Sequence, residues 1–146
     1  MSDAAATVSG WPSGRVGYVA LLGRPNVGKS TLLNTAMGTH LAPVSRLPQT
    51  TRRNCLGIVS DAASQILFVD APGVHVPHDG LDHAMERSIT RALKDADVVL
   101  CLADPSRAPG VEDRLVAEAA ARSAGPVLLV LTKADICDDT QLRTAE

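Results

Sequence analysis

Between an apolar run at 16–22 and a helical stretch at 29–37 lies Gly23-Arg24-Pro25-Asn26-Val27-Gly28-Lys29-Ser30, which matches the pattern G-x-x-x-x-G-K-[ST]. Two glycines let such a loop curl until successive backbone N–H groups face inward, an arrangement that cradles phosphate oxygens. The positive end of the helix that follows adds to the attraction. The cradle expected here runs from Gly23 to Thr31. Within it Lys29 would bridge β- and γ-phosphates, and the Ser30 hydroxyl would ligate Mg²⁺.

Three further segments supply matching chemistry. Asp70-Ala71-Pro72-Gly73 follows the apolar pair Phe68-Val69 and ends a strand expected to lie beside the first one. A carboxylate at Asp70 can hold Mg²⁺ through water, and the Gly73 N–H can meet a γ-phosphate. Gln49-Thr50-Thr51-Arg52 lies in a long irregular segment. There the Thr51 hydroxyl, rather than that of Thr50, is expected to join the metal shell while its N–H senses the γ-phosphate. Thr132-Lys133-Ala134-Asp135 closes the last apolar run. Asp135 can accept from the N1–H and the 2-amino group of guanine, two donors that adenine lacks, and the Lys133 stem can lie along the base. The sum is a site for GTP and GDP with Mg²⁺.

These residues need elements to hold them. The pattern predicts strands at 16–22, 56–60, 65–70, 97–102 and 127–131, and helices at 29–37, 81–94 and 111–124, with Asp138 or Asp139 able to cap another. Residues 1–15 read as a flexible leader, and 39–54 as a long functional loop. The order implies an α/β P-loop NTPase fold with a mostly parallel, doubly wound sheet and one antiparallel strand, the first of the hairpin. The runs at 97–102 and 127–131 are expected to be buried. Ligands of such sheets sit at the carboxyl ends of the strands, where all the motifs fall.

Composition excludes several alternatives. Charged residues make up 21% and the formal net charge is -2, so nothing favours general nucleic-acid or membrane affinity. Trp11, Tyr18 and Phe68 are the only aromatics, too few for a row of base-stacking platforms. Cys55, Cys101 and Cys137 form no paired spacing, so they read as reduced thiols, the first two packed as small hydrophobes. No apolar run is long enough to span a bilayer and no secretory signal opens the chain, so a cytoplasmic monomer is expected.

Together GRPNVGKSTLLN at 23–34, PQTTR at 48–52, DAPG at 70–73 and TKAD at 132–135 resemble the Era family, within the TrmE–Era–Der-type GTPases. The resemblance implies GTP hydrolysis, assistance in assembling the small ribosomal subunit, and rRNA binding through a C-terminal KH domain. The resemblance covers residues 16–136 and implies that residues 16–146 are a partial G domain lacking its last strand and helix and the KH domain. Val74 stands where Ras-like relatives carry a water-orienting Gln. The resemblance then gives Asn26 a part in holding K⁺ beside the phosphates, so that the catalytic set becomes Asn26, Lys29, Thr51 and Gly73. His75 and His78 read as solvated loop residues rather than a general base. Arg46, Arg52 and Arg53 fit either an RNA or partner contact or a merely soluble loop. Two alternatives stay open: a nucleotide-binding module without effective hydrolysis, or another GTPase of the same group. T-K-A-D argues against an ATP-using kinase.

Overall fold

The computed structural model describes residues 15–38, 55–70 and 80–145. Its elements are β1 (Arg15–Leu22), α1 (Lys29–Met37), β2 (Cys55–Ser60), β3 (Ser64–Asp70), α2 (Gly80–Asp95), β4 (Val98–Ala103), α3 (Val111–Ala120), β5 (Val127–Leu131) and α4 (Asp139–Ala145), with a 3₁₀ turn at Ala134–Ile136. The five strands form one sheet in the order β2-β3-β1-β4-β5. Pairing is parallel throughout β3-β1-β4-β5, and only β2 runs antiparallel, against β3. The chain leaves β1 toward β3 on one side and later reaches β4 on the other. This makes the end of β1 the switch point at which such sheets bind ligands.

Alternation along the strands builds two cores. Ala20, Leu22 and Val99 face α2 and α3, where they meet Ile89, Ala92, Leu93, Val116, Ala119 and Ala120. Leu21 and Leu102 face the other way, onto Leu33 of α1 and Val27 of the glycine loop. Burying each such aliphatic side chain contributes about 1.5–3 kcal/mol, so the sheet and the loop that follows β1 are fixed by the same packing. Cys101 packs beside the first cluster as a small hydrophobe, and burial pushes its thiol up. No helix among the described residues is long and apolar enough to cross a membrane.

Sequence and structure differ in four places. Arg15, assigned to the leader, opens β1, because its N–H donates to the Ala63 carbonyl at 3.0 Å and it pairs with Ser64. α3 ends at Ala120 rather than continuing to 124. Its last amides tighten into short turns, Arg122 onto Ala119 and Ser123 onto Ala120, ahead of Pro126. Gly125 lies so close to the Asp97 carbonyl that a Cβ there would be 2.6 Å away, a seat no helix could fill with a side chain. The run at 127–131 is a strand but not a buried one: Leu128 is 54% exposed and Leu129 49%. Among the described strands β5 has β4 as its single neighbour and stands at the sheet edge. Finally, the 3₁₀ turn at Ala134–Ile136 went unforeseen.

Candidate functional site

The loop that follows β1 is held by its own glycines and by one buried valine. A Cβ on Gly23 would lie 2.7 Å from Val27 Cγ1 and 3.0 Å from the Leu102 carbonyl, so only glycine allows the loop to leave β1 this tightly. Asn26 and Gly28 both adopt positive φ, 59° and 112°, and turn the chain back toward α1. Asn tolerates that region better than most side chains. Val27 is fully buried and pins the loop to the core below it. Gly28 is the N-cap of α1, whose first two residues are Lys29 and Ser30.

Lys29 folds back across the loop. Its ammonium donates to the carbonyls of Gly23 at 3.1 Å and Arg24 at 3.2 Å, and the residue is only 7% exposed. This places a cation inside the curl of the loop. Ser30 starts the helix beside it, Pro25 and Asn26 lie at the loop's tip, and Thr31 is exposed on α1, with its carbonyl accepting from Thr35. The Arg24 side chain takes no part in the curl. Its guanidinium is buried, with Nη2 3.1 Å from Asp104 Oδ2 and Nε 3.1 Å from Asp113 Oδ1, the latter an ion-pair distance without hydrogen-bond alignment.

Thr132-Lys133-Ala134-Asp135 stands at the end of β5, two strands away from β1. Thr132 Oγ1 lies 2.8 Å from the Val27 carbonyl and 3.1 Å from that of Ala103, so its one hydroxyl hydrogen links β5 to the glycine loop and to β4. Lys133 takes a left-handed backbone, φ 55°, which turns the chain into the 3₁₀ turn carrying Asp135. Its ammonium donates to Asp104 Oδ2 at 2.6 Å. Asp135 is exposed at the open side of the sheet edge, where a ligand can reach it.

Asp104 is the residue that sequence reasoning missed. It follows β4, the strand between β1 and β5, and is buried. One carboxylate oxygen faces both Arg24 and Lys133, and the other accepts from the Ser106 amide at 3.0 Å and from the Ser106 hydroxyl. Burial works to raise its carboxyl, but hydrogen bonds from Lys133 and Ser106, with the Lys133 charge, bring it down to about 2. Its contribution to folding is therefore complete above the ordinary 3.8 and is lost as the pH falls through about 2. The available signal was a carboxylate in Asp104-Pro105-Ser106, directly after a predicted strand, where ligand-side residues gather.

The structure thus brings together 23–31 and 132–135. Asp70 ends β3, its backbone in register with Leu21 of β1, two residues ahead of Gly23. A hydroxyl at Ser30 and a carboxylate at Asp70 are hard oxygen donors, the chemistry that suits Mg²⁺. Thr51, Ala71, Pro72, Gly73, Val74, His75, His78, Arg46, Arg52 and Arg53 lie outside the described residues.

A family model described as 50S ribosome-binding GTPase matches residues 18–133. GTPase Era of Ectopseudomonas mendocina is 50% identical over 129 residues, which are 88% of this chain and 43% of that protein. GTPase Era of Deinococcus deserti is 45% identical over 135 residues, 92% of this chain and 44% of that protein. A crystal structure of Era with MgGDPNP and nucleotides 1506–1542 of 16S ribosomal RNA superposes with TM-score 0.83 at 35% identity, over 90% of this chain and 45% of that one. Aquifex aeolicus Era Y63A bound to GDP.AlF4- gives TM-score 0.81 at 34% identity, over 89% of this chain and 45% of that one. The chain spans less than half the length of these relatives.

Proposed function

Since this chain belongs to the family of 50S ribosome-binding GTPases, we propose that it binds GTP and GDP with Mg²⁺ and hydrolyses GTP to GDP and phosphate, as the G-domain part of an Era-like switch in small-subunit assembly. The observation that carries this reading is the 2.8 Å contact from Thr132 Oγ1 to the Val27 carbonyl, which ties a base-reading motif to a phosphate-cradling loop across 105 residues of sequence. A kinase-type phosphate loop without T-K-A-D beside it would have no reason to select guanine.

The protein groups divide the work. Asp135 accepts from the base edge and sets guanine preference. The curl of Gly23 to Gly28 and the start of α1 present N–H donors and positive potential to the β- and γ-phosphates. Lys29 offsets the negative charge that gathers on the bridging oxygen as the bond to the γ-phosphorus breaks and water adds to it. Ser30 and Asp70, with Thr51, would hold Mg²⁺, which when bound supplies charge neutralisation across the β- and γ-oxygens. Gly73 would meet the γ-phosphate. With Val74 unable to orient water, a K⁺ ion held in part by Asn26 at the loop tip would supply the positive charge that offsets charge building on the phosphate oxygens. The rRNA partner, a cytoplasmic location and a monomeric state belong to the same proposal, the first supported by the Era complex that contains 16S rRNA.

Phosphate release tests the reaction and the cation together. Single-turnover GTP hydrolysis is expected to be faster in KCl than in NaCl at equal ionic strength, and Asn26→Ala should erase the difference. Hydrolysis that proceeds at one rate in both salts would remove K⁺ from the account. GTP that stays intact in both would remove hydrolysis.

A further inference from the structure

Asp104 lies between two motifs that never meet in sequence. Arg24 is 80 residues before it in the glycine loop, and Lys133 is 29 residues after it in the base motif. Both cations converge on the same oxygen, Oδ2, at 3.1 and 2.6 Å. The opposite oxygen is fixed by two donors from Ser106. The carboxylate therefore cannot turn without breaking several bonds at once. Lys133, by contrast, is a long side chain that is 40% exposed at a sheet edge. Left to itself it would sample many rotamers, and ordering one such chain on binding costs about 0.5–1.5 kcal/mol. Further from Asp104, Asp113 takes up the other side of the Arg24 guanidinium and, at its second oxygen, the Gly110 N–H at 2.8 Å. Arg24 is thus retained by Asp113 when Asp104 changes, whereas the Lys133 ammonium is anchored by its ion pair with Asp104.

We propose that Asp104 is a positioning residue for guanine-nucleotide binding: it fixes the Lys133 ammonium at the end of β4, on the same carboxylate oxygen that holds Arg24 of the glycine loop, so that the lysine stem is already laid out where the base must rest. The inference rests on the guanine-site reading of Thr132–Asp135. It adds that the base site is preorganised through a strand-end carboxylate that touches neither base nor phosphate. Arg24 is the second anchor of that carboxylate and ties its position to the loop that holds the phosphates.

The test is a double-mutant cycle on GDP affinity, read by titration of a fluorescent GDP with wild type, Asp104→Asn, Lys133→Ala and the double variant. Asp104→Asn keeps the shape and removes the charge. It should weaken GDP about three- to tenfold, the range expected when one long side chain must be ordered on binding. In the Lys133→Ala background the same change should alter GDP affinity by less than about twofold, because the group it acts through is gone. A loss of equal size in both backgrounds would mean that Asp104 acts through Arg24 or the fold, and would overturn the proposal, as would no loss in the first. Should Asp104→Asn fail to fold, Ser106→Ala loosens the same carboxylate from its other oxygen. It should then weaken GDP only while Lys133 is present, and unchanged affinity would overturn the proposal equally. A wild-type chain that bound no GDP would overturn this inference and the guanine-site reading together, whereas wild-type binding that Asp104→Asn leaves intact would overturn the inference alone.

Discussion

Asp135→Asn is expected to exchange guanine for xanthine preference. The Asp135 carboxylate offers only acceptors and suits the N1–H and 2-amino donors of guanine. An amide keeps one acceptor for N1–H and turns its NH₂ toward the 2-carbonyl of xanthine. GTP then loses a charge-assisted pair of hydrogen bonds and gains a donor facing a donor. That loss is about 2–5 kcal/mol, on the order of 30- to 4,000-fold in affinity. Xanthosine triphosphate should gain by a comparable factor, so the two nucleotides cross over. Competition titrations of both triphosphates against wild type and variant read the crossover. Equal GTP affinity in the two proteins would take Asp135 out of the base site.

Lys29→Ala should produce the largest loss in the reaction itself. The ammonium is buried against the carbonyls of Gly23 and Arg24, so it is held within the loop rather than sampling solvent. A cation set in place before charge develops needs no rearrangement in the transition state, and removing one preorganised donor of this kind lowers rates by about 100- to 1,000-fold. Ser30→Ala is the informative contrast, because on the proposed reading it would remove a metal ligand instead of a phosphate cation. Raising Mg²⁺ should restore part of the Ser30→Ala rate and none of the Lys29→Ala rate. Matching Mg²⁺ dependence in single-turnover measurements on the two variants would contradict this division of labour.

Much of the scaffold was legible because it is local. The glycine loop between strand and helix and the single antiparallel strand follow from short patterns and element order. What escaped depends on contacts between distant residues. Nothing periodic in the sequence says that Arg24 turns from the phosphates to Asp104, because the pair is 80 residues apart and forms only once β4 is set beside β1. Nor does any local pattern say that the Thr132 hydroxyl reaches the Val27 carbonyl, 105 residues before it. The exposed face of β5 was equally hidden: an apolar run reads the same at a sheet's edge as at its centre, and only the strand order separates the two.

Whether the 146 residues of this chain form a guanine-nucleotide site is decided by an equilibrium titration of GDP against ADP in the presence of Mg²⁺. Both diphosphates offer the same phosphates to Lys29 and the loop, so the comparison isolates the base. Saturable GDP binding is expected, with ADP weaker by at least about 100-fold, since adenine would leave the Asp135 carboxylate facing no donor. ADP binding as tightly as GDP would contradict it.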